Sequence, residues 1–416
     1  MQIRDKLKKT LMNIILCCEN FHPSVGGVQK VMYEIGLRFV KKGHKVSVAT
    51  SWHADREQDS IDGINICSFK ASGNLVSGMV GEIDRYQDFL INSQFDFLLV
   101  MAAQQWTFDA MLPVLDKIPY KKLHIPCGYS GFYLKKYKKY YQDMGTHLRK
   151  FDQLIYNSTD YRDINFAREK NIHNINVIPA GASELEFMNP GKVNVREELG
   201  INKDDFIYLS VGAPAFNKGH KEILLSYLLL DVPFRSILVL NGNYDNIKEI
   251  SLRNTALSPR NTFKELVMRI LGRSPLNIIR LAKRNKDPKK KIIFSNLKRE
   301  ELIALLFDAD LFLFASHVEY SPLVIFECLA AGLPFLSIPV GNVEEIAEWS
   351  NGGVICTGKQ SKTGFSRADP IIYSKAMQEL SLDKEKRAVL SAKGRQSWLD
   401  KFTWKTIANQ IEALVR

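Results

Sequence analysis

The stretch that most constrains the fold of this chain runs from Ser316 to Ile346. It directly follows Leu311–Ala315, an apolar run of strand length, opens with a polar loop, and passes at Ser321 and Pro322 into an apolar run of helical length. Serine is a preferred N-cap residue, and proline fits the first position of a helix. Gly332, with a proline two residues later, is typical of a helix end. The pattern predicts a strand, a loop and a helix from Pro322 to residue 331, the repeating unit of parallel α/β sheets.

Two carboxylates occupy informative places in this unit. Glu319 lies in the loop, and Glu327 follows eight positions later, within the helix. The free N–H groups and the positive dipole end of a helix N-terminus attract phosphate. Carboxylates beside it can accept hydrogen bonds from sugar hydroxyls, so the stretch predicts a binding site for a nucleotide sugar. The alternative is that both glutamates are ordinary loop and helix-face residues of a βα unit.

The length and composition favour a two-domain protein of the cytoplasm. A chain of 416 residues is too long for one hydrophobic core, and 45% hydrophobic with 25% charged residues is ordinary for a globular protein. The six cysteines show no paired metal-ligand spacing, which indicates reduced thiols. The apolar run after the basic N-terminus is short and lacks a cleavage site, so we interpret it as a first strand rather than a signal peptide.

A strand–loop–helix–strand pattern also opens the chain. An apolar run from Asn13 to Cys18 precedes Gly26 and Gly27, and an amphipathic helix is predicted from Val28 to Lys42. Two glycines at a strand-to-helix turn allow the backbone to approach a diphosphate closely. Taken alone, the loop could equally be a tight turn that binds nothing.

The second half repeats the alternation. The predicted strand Phe206–Val211 leads into a loop that ends at Lys218 and Gly219, and a helix follows from His220. Further strands are predicted over Ser236–Asn241 and 291–295, before the stretch Ser316–Ile346.

Together these motifs resemble those of the retaining glycosyltransferases of family 4, the glycosyl transferases group 1. The resemblance rests on Glu319 with Glu327, on Gly26-Gly27 and on Lys218-Gly219, and it covers most of the chain outside residues 254–290. It implies an α/β protein of GT-B fold, with two Rossmann-like domains facing across a cleft and a C-terminal helix that crosses back to the first domain. We expect an acceptor-binding domain at 1–188, joined by about 398–416, and a nucleotide-sugar-binding domain at 189–397.

The resemblance also implies roles for individual residues. Lys218 and Glu319 would be catalytic, Glu319 holding the donor sugar and Glu327 the ribose hydroxyls. The donor-binding set implied by the family is Gly26, Gly27, Lys218, Glu319, Ser321, Pro322, Leu323 and Glu327.

Three positions depart from the family pattern, and one of them is Ala180, which stands where the family usually has an asparagine before a glycine. Ala213 stands where the family has an arginine that holds the donor diphosphate, and Cys127 stands where a histidine often ends a strand. His124, three residues before Cys127, is expected to be packed in the core. These departures keep open a second hypothesis, a degenerate GT-B protein that binds a nucleotide sugar or partners without catalysis.

The expected activity is that of a hexosyl-type glycosyltransferase of class EC 2.4 that retains configuration, in envelope polysaccharide or lipopolysaccharide biosynthesis. We expect no cofactor and no metal. The pattern Asp308-Ala309-Asp310 is that of metal-binding glycosyltransferases, but it lies at a helix end and a strand start, where capping is the expected role. The partners would be a nucleotide sugar and a glycan or lipid-linked acceptor, with no nucleic acid.

Most of the net charge of +12 falls in one segment. Between Arg253 and Lys291 there are twelve Lys or Arg against Glu265 and Asp287. Apolar residues at helical spacing within it predict two cationic amphipathic helices, which suit an anionic membrane surface through residues 254–291 on the cytoplasmic face. The alternatives are that the apolar stripes pack on the domain, or that the chain is a basic membrane- or nucleic-acid-binding module. The Lys- and Tyr-rich segment Leu134–Lys150 raises the same choice between a binding surface and a solvated helix face.

Overall fold

A computed structural model describes residues 11–191, 193–244 and 275–416, with side chains left out at 275 and 276. The chain forms two compact units, one ending at Ala180 and taking in Trp404–Arg416, the other spanning Gly181–Thr403. The sequence predicts that the first domain ends at 188 and that the chain returns to it at about 398. The segment after Gly181 lies with the second unit because Ala182 donates its N–H to the Phe402 carbonyl (3.0 Å) and accepts a hydrogen bond from the Trp398 indole (3.1 Å).

The described part of the first unit is built on an eight-stranded sheet of order β10-β9-β8-β7-β1-β2-β4-β3, in which only the β3–β4 pairing is antiparallel. The central strands β1 and β7 are apolar and almost wholly buried, as expected for parallel strands covered on both faces. Two further strands, β5 and β6, form a separate hairpin. The strands are β1 (Asn13–Cys17), β2 (Lys45–Ser51), β3 (Ser60–Ile61), β4 (Ile64–Phe69), β5 (Ala71–Asn74), β6 (Gly78–Gly81), β7 (Phe97–Met101), β8 (Lys121–Ile125), β9 (Gln153–Tyr156) and β10 (Ile175–Val177).

The helices of the first unit connect these strands. They are α1 (Gly27–Lys41), α2 (Ile83–Asn92), α3 (Trp106–Asp109), α4 (Lys138–Leu148) and α5 (Arg162–Glu169), with 3₁₀ turns at Leu112–Lys117 and Lys135–Tyr137. In the Lys- and Tyr-rich segment, Tyr137, Tyr140 and Tyr141 are buried in the core, whereas the neighbouring lysines are exposed. The tyrosines there are therefore core residues rather than an exposed aromatic surface.

The described part of the second unit contains a six-stranded parallel sheet of order β13-β12-β11-β14-β15-β16, and a small hairpin of β17 and β18. The strands are β11 (Phe206–Val211), β12 (Ser236–Asn241), β13 (Lys290–Ser295), β14 (Leu311–Phe314), β15 (Phe335–Ser337), β16 (Gly353–Ile355), β17 (Gly358–Gln360) and β18 (Ser366–Ala368). The helices are α6 (Glu184–Phe187), α7 (Val195–Leu199), α8 (His220–Leu229), α9 (Pro275–Ala282), α10 (Arg299–Asp308), α11 (Leu323–Ala331), α12 (Val343–Ser350), α13 (Pro370–Leu382) and α14 (Lys384–Lys401).

The amphipathic C-terminal segment predicted over Trp398–Arg416 is two helices rather than one. Helix α14 ends at Lys401, and α15 (Trp404–Ala413) begins after a break at Phe402 and Thr403. Helix α15 packs on α1 of the first unit, and the Glu412 carboxylate forms an ion pair with the Lys42 ammonium. The return of the C-terminal helix to the first unit is confirmed.

Most of the basic segment lies outside the described residues, including the first of its two predicted helices and the chain from 254 to 274. The second predicted helix is α9, in which Ile278 is buried. Helix α9 contacts α8, so this part of the segment packs on its own unit. Among the described residues, no helix is both long enough and apolar enough to cross a bilayer.

Candidate functional site

The two loops that carry the predicted catalytic residues lie side by side in the second unit. One follows β11 and the other follows β14, and these strands are paired neighbours in the sheet. The carboxyl ends of parallel strands are where α/β proteins bind their ligands. The loops are joined directly, since the His317 N–H donates a hydrogen bond to the Asn217 carbonyl at 2.8 Å.

Gly219 makes this close approach between the loops feasible. Its φ of +69° is in the left-handed region, and a Cβ there would lie 1.9 Å from the Ala315 carbonyl oxygen. Only glycine fits both conditions without displacing the backbone. Helix α8 begins at the next residue, so its free N–H groups open onto the loop.

Lys218 and Glu319 meet across the two loops. The Lys218 Nζ lies 2.6 Å from the Glu319 Oε1, and the Glu319 side chain is only 14% exposed. The ammonium is thus fixed over the turn where β11 passes into α8. A cation held at a helix N-terminus in a poorly solvated site is the arrangement that stabilises negative charge on a phosphate.

Ser321 does not cap helix α11, contrary to the sequence prediction. Its φ is +48°, and the N-cap residue of α11 is Pro322, with Leu323 as the first helical residue. The left-handed turn is fixed by the Ser321 N–H, which donates to the Asn342 side chain at 2.7 Å. Within the described chain, the Ser321 hydroxyl is buried and has no hydrogen-bond partner. The hydroxyl lies at the start of α11, but its oxygen is closed off from the surface in this conformation.

Glu327 is held by a second cation, Arg299. The Arg299 Nη2 lies 2.7 Å from the Glu327 Oε1, and its guanidinium also forms a two-pronged contact with Glu186 at 2.8 and 3.0 Å. Burial alone would lower the pKa of Arg299, but the two carboxylates raise it above its ordinary value. In the described structure the Glu327 Oε2 has no hydrogen bond, so one oxygen anchors the residue while the other can accept from a hydroxyl.

A buried histidine lies beside the position of the missing arginine. His220 is 1% exposed, and its Nε2 would be 3.6 Å from a Cβ at Gly212, the residue before Ala213. Its Nδ1 pairs with the Tyr244 hydroxyl, and burial, followed by the charge of Lys218, lowers its pKa to about 4. It is neutral near pH 7, so it does not replace the charge of the arginine.

The glycine loop of the first unit lies beside a cavity of about 340 Å³, which is lined by Gly26, Gln29 and Tyr33 among others. A Cβ at Gly26 would lie 2.5 Å from the end of the Gln29 side chain, whereas Gly27 has open space around it. Because the Gln29 amide is the flexible end of its side chain, local packing does not require glycine at position 26. At Gly27 the lack of a side chain leaves the backbone open to a ligand.

Backbone strain marks two other loops at the carboxyl edge of the first sheet. Ala102, Gln104, Cys127 and Tyr129 all have positive φ, between 47° and 68°, in the loops after β7 and β8. Each such residue costs about 1–2 kcal/mol, and strain of this kind gathers at functional sites. The sequence singled out Cys127 by residue type but gave no sign of the strain, because none of the four residues favours this conformation.

Two further sequence expectations concern residues near these loops. Burial raises the pKa of the Cys127 thiol to about 12, with Asp163 adding to the effect, so this cysteine is a poor nucleophile. His124 is fully buried, as predicted, and stacks on Phe108 at 4.3 Å. Desolvation lowers its pKa to about 3, which makes it a neutral core residue.

The two aspartates of the predicted capping pattern do not converge on a common point. Asp308 pairs with Arg196 at 2.7 Å, and Asp310 accepts the Ile207 N–H at 2.8 Å. Asp308 thus links the end of helix α10 to the Arg196 side chain, and Asp310, just before strand β14, binds the backbone of strand β11. Within the described residues, no group of three or more His, Cys, Asp or Glu side chains is arranged to hold a metal.

Comparison with known proteins gives one family and several structural relatives. Residues 192–397 match the family model described as glycosyl transferases group 1. The N-acetyl-alpha-D-glucosaminyl L-malate synthase of Bacillus anthracis is 26% identical over 180 residues, 43% of this chain and 44% of the relative, so the match spans less than half of that protein.

The fold is shared along almost the whole chain with solved structures. The sucrose-phosphate synthase of Thermosynechococcus elongatus has a TM-score of 0.70 at 16% identity and covers 97% of this chain and 98% of its own. WaaG, a glycosyltransferase involved in lipopolysaccharide biosynthesis, has a TM-score of 0.62 at 16% identity. The match covers 97% of this chain and 99% of WaaG. The predicted fold class, GT-B with two Rossmann-like domains, is confirmed.

Proposed function

We propose that this chain, whose residues 192–397 match the family model of the glycosyl transferases group 1, moves a hexose from a nucleotide-sugar donor to a glycan or lipid-linked acceptor. The observation that most supports this is the contact between Lys218 and Glu319 at the N-terminus of α8. A diphosphate leaving group needs a cation and backbone N–H groups, and a sugar needs a nearby hydrogen-bond acceptor. The paired loops supply both.

The chemistry breaks the bond between the anomeric carbon and the diphosphate oxygen and forms a bond from that carbon to an acceptor hydroxyl oxygen, whose proton leaves with the diphosphate. Negative charge grows on the phosphate in the transition state, where Lys218 and the N-terminus of α8 stabilise it. When the donor enters, its phosphate competes with Glu319 for the Lys218 ammonium. The Glu319 carboxylate then becomes available to the hydroxyls of the donor sugar. Pro322 and Leu323 present the start of α11 to the phosphates, and the family resemblance adds Gly26 and Gly27 to the proposed donor-binding set.

Glu327 is proposed to hold the ribose hydroxyls. Its Oε1 is fixed by Arg299, which leaves Oε2 as the acceptor. A carboxylate fixed in this way does not need to lose conformational freedom when the nucleotide binds, which favours affinity. We also propose that the reaction retains configuration and needs no metal and no cofactor, as the family resemblance implies.

The acceptor is proposed to belong to the cell envelope. WaaG, a structural relative, is a glycosyltransferase involved in lipopolysaccharide biosynthesis. The basic segment 254–291 of this chain suits an anionic leaflet. The protein would then act in the cytoplasm, at the inner face of the membrane. Binding to phosphatidylglycerol vesicles, compared with phosphatidylcholine vesicles, tests this, and equal binding to both would contradict it.

The transferase proposal is tested by binding and turnover with a panel of UDP-, GDP- and ADP-sugars. We expect one donor to give saturation-transfer signals in NMR and to be hydrolysed slowly without acceptor. Glu319→Gln is expected to keep nucleotide binding and to lose turnover. If no donor binds to the wild type, the transferase proposal is wrong.

A second candidate function is donor binding without transfer, and Ala213 and Cys127 are the residues that favour it. Tight donor binding with neither hydrolysis nor transfer to envelope extracts would support it. Donor turnover that Lys218→Gln abolishes would exclude it.

A further inference from the structure

The first unit contains a cavity that the proposed donor site does not use. Its volume is about 360 Å³, within the range of small-ligand pockets. It lies between three elements: the turn of the β5–β6 hairpin, the 3₁₀ turn Leu112–Lys117, and helix α4 with the turn before it. All three belong to the unit that is proposed to bind the acceptor.

The walls of this cavity are joined by a buried carboxylate, Asp109. It is 0% exposed and accepts the Leu75 N–H from the hairpin turn at 2.9 Å and the Tyr140 hydroxyl from α4 at 2.7 Å. The Tyr140 hydroxyl in turn accepts the N–H of Gln104, one of the strained residues after β7. The cavity is therefore preformed and tied to the carboxyl edge of the sheet, where ligands of α/β proteins bind.

One side of the cavity is cationic. Lys136 and Lys139 line it, and both are exposed on the same face of the chain around α4. His147 lines it as well, with a buried Nδ1 that has no hydrogen-bond partner within the described chain. Burial, and then Lys150, lower the pKa of His147, so it is a neutral imidazole near pH 7. Asp143 is the one carboxylate of the lining, so the lysines leave a net positive charge.

The opposite side of the cavity is apolar. It is formed by Leu75 and Val76 of the hairpin turn, by Leu112, and by Met144 of α4. Leu75 lines the cavity and is 48% exposed, so its apolar surface is in contact with water. Covering that surface with an apolar group is favourable in free energy. A neutral, hydroxyl-rich sugar would leave the charge of the lysines uncompensated and would give this apolar wall no hydrocarbon chain to pack against.

We propose that this cavity binds the phosphate and the first methylenes of an alkyl phosphate, and that an acceptor of this chain is anchored there through its lipid phosphate. The second clause rests on the proposed transferase function. The first does not, because it follows from the charge and lining of the cavity alone. The phosphate lies between Lys136 and Lys139, the His147 ring completes its hydrogen bonding, and the chain runs along Leu75, Leu112 and Met144.

The test is calorimetry on the full-length protein with octyl phosphate below its micellar concentration. Octyl glucoside has the same chain without the charge, and inorganic phosphate has the charge without the chain. We expect octyl phosphate to bind at least tenfold more tightly than either. Equal affinity for inorganic phosphate would make the cavity a simple anion site, and equal affinity for octyl glucoside would make it an apolar one; both results would overturn the proposal.

The chain offers a matched pair of charge variants. Lys136→Gln with Lys139→Gln removes two charges from the cavity, and we expect Kd for octyl phosphate to rise about tenfold or more. Lys135→Gln with Lys138→Gln removes the same charge from the same segment, but these two side chains do not line the cavity. If both double variants weaken binding equally, binding is to a diffuse basic surface, and the proposal is wrong.

A second pair tests the apolar wall. Leu75→Ser is expected to weaken octyl phosphate binding severalfold while leaving inorganic phosphate unchanged. Val80→Ser changes a more accessible residue of the same hairpin, 66% exposed, that does not line this cavity, and it should have no effect. Because both side chains are exposed, neither change removes a core contact.

Nucleotide titration of the same variants separates this proposal from the proposed function. If octyl phosphate fails to bind while a donor nucleotide binds, only the anchoring proposal is wrong. If octyl phosphate binds as expected and no donor binds, the cavity is real and the transferase proposal is the one that fails.

Discussion

The pairing of Arg299 with two glutamates allows the proposed nucleotide site to be tested with an internal control. Arg299 contacts Glu327 through one nitrogen and Glu186 through two, at 2.7 to 3.0 Å. Glu327→Gln keeps the shape of the side chain and removes its charge. Glu186→Gln removes the same charge from the other side of the same guanidinium. Only the first change touches the proposed ribose acceptor.

The expected magnitudes differ for binding and for stability. A hydrogen bond to a charged group contributes about 1.5–3 kcal/mol, so Glu327→Gln should weaken nucleotide binding about 10- to 150-fold. The Arg299 side chain is 35% exposed and keeps its two-pronged contact with Glu186, so the loss of folding free energy should be about 1 kcal/mol or less. Glu186→Gln should cost a similar amount of stability and leave nucleotide affinity within about twofold of wild type.

The assay is calorimetric titration with UDP, GDP and ADP, together with urea unfolding of all three proteins. Reduced nucleotide affinity in Glu327→Gln alone would support the ribose role. If both variants lose affinity equally, the network acts by holding the fold rather than by contacting the nucleotide. Unchanged affinity in Glu327→Gln would refute the assignment of the ribose to this residue.

Three further predictions concern single residues. Lys218→Gln should lower kcat about 100-fold or more with little change in stability, measured by product formation, because the residue acts on charge that develops at the phosphate; an unchanged kcat would remove it from the mechanism. Gly219→Ala should lower the free energy of unfolding by about 2 kcal/mol or more, measured by urea unfolding, because the new Cβ would meet the Ala315 carbonyl and residue 219 has a φ of +69°. The control Gly191→Ala places its Cβ in open space and should leave the free energy of unfolding unchanged. Burial raises the pKa of Asp109 to about 6, so the folded state holds this proton more tightly than the unfolded chain. Its contribution to the free energy of unfolding should therefore increase by about 2–3 kcal/mol as the pH falls from 7 to 4, seen as the difference between the pH profiles of wild type and Asp109→Asn; parallel profiles would contradict it.

Local sequence signals were sufficient for the elements of the fold. The strands Phe206–Val211 and Ser236–Asn241 were predicted with the bounds that the structure has. Runs of buried apolar residues, glycines at helix ends and short polar loops determine these elements within a few neighbouring residues. The local pattern of strand, loop and helix also pointed to Glu319, whereas Lys218 was singled out by the family resemblance.

Contacts between distant parts of the chain were decided only by the tertiary structure. Arg299 lies 28 residues from Glu327 and 113 from Glu186, and no local pattern links the three. Asp109 joins a hairpin turn to α4, and its surroundings, not its neighbours in sequence, raise its pKa. Ser321 was assigned as a cap from its residue type, but the Asn342 side chain, 21 residues away, holds it in a left-handed turn. Sequence determines what each segment prefers, whereas ion pairs, strain and burial arise from partners that only folding brings within a few ångströms.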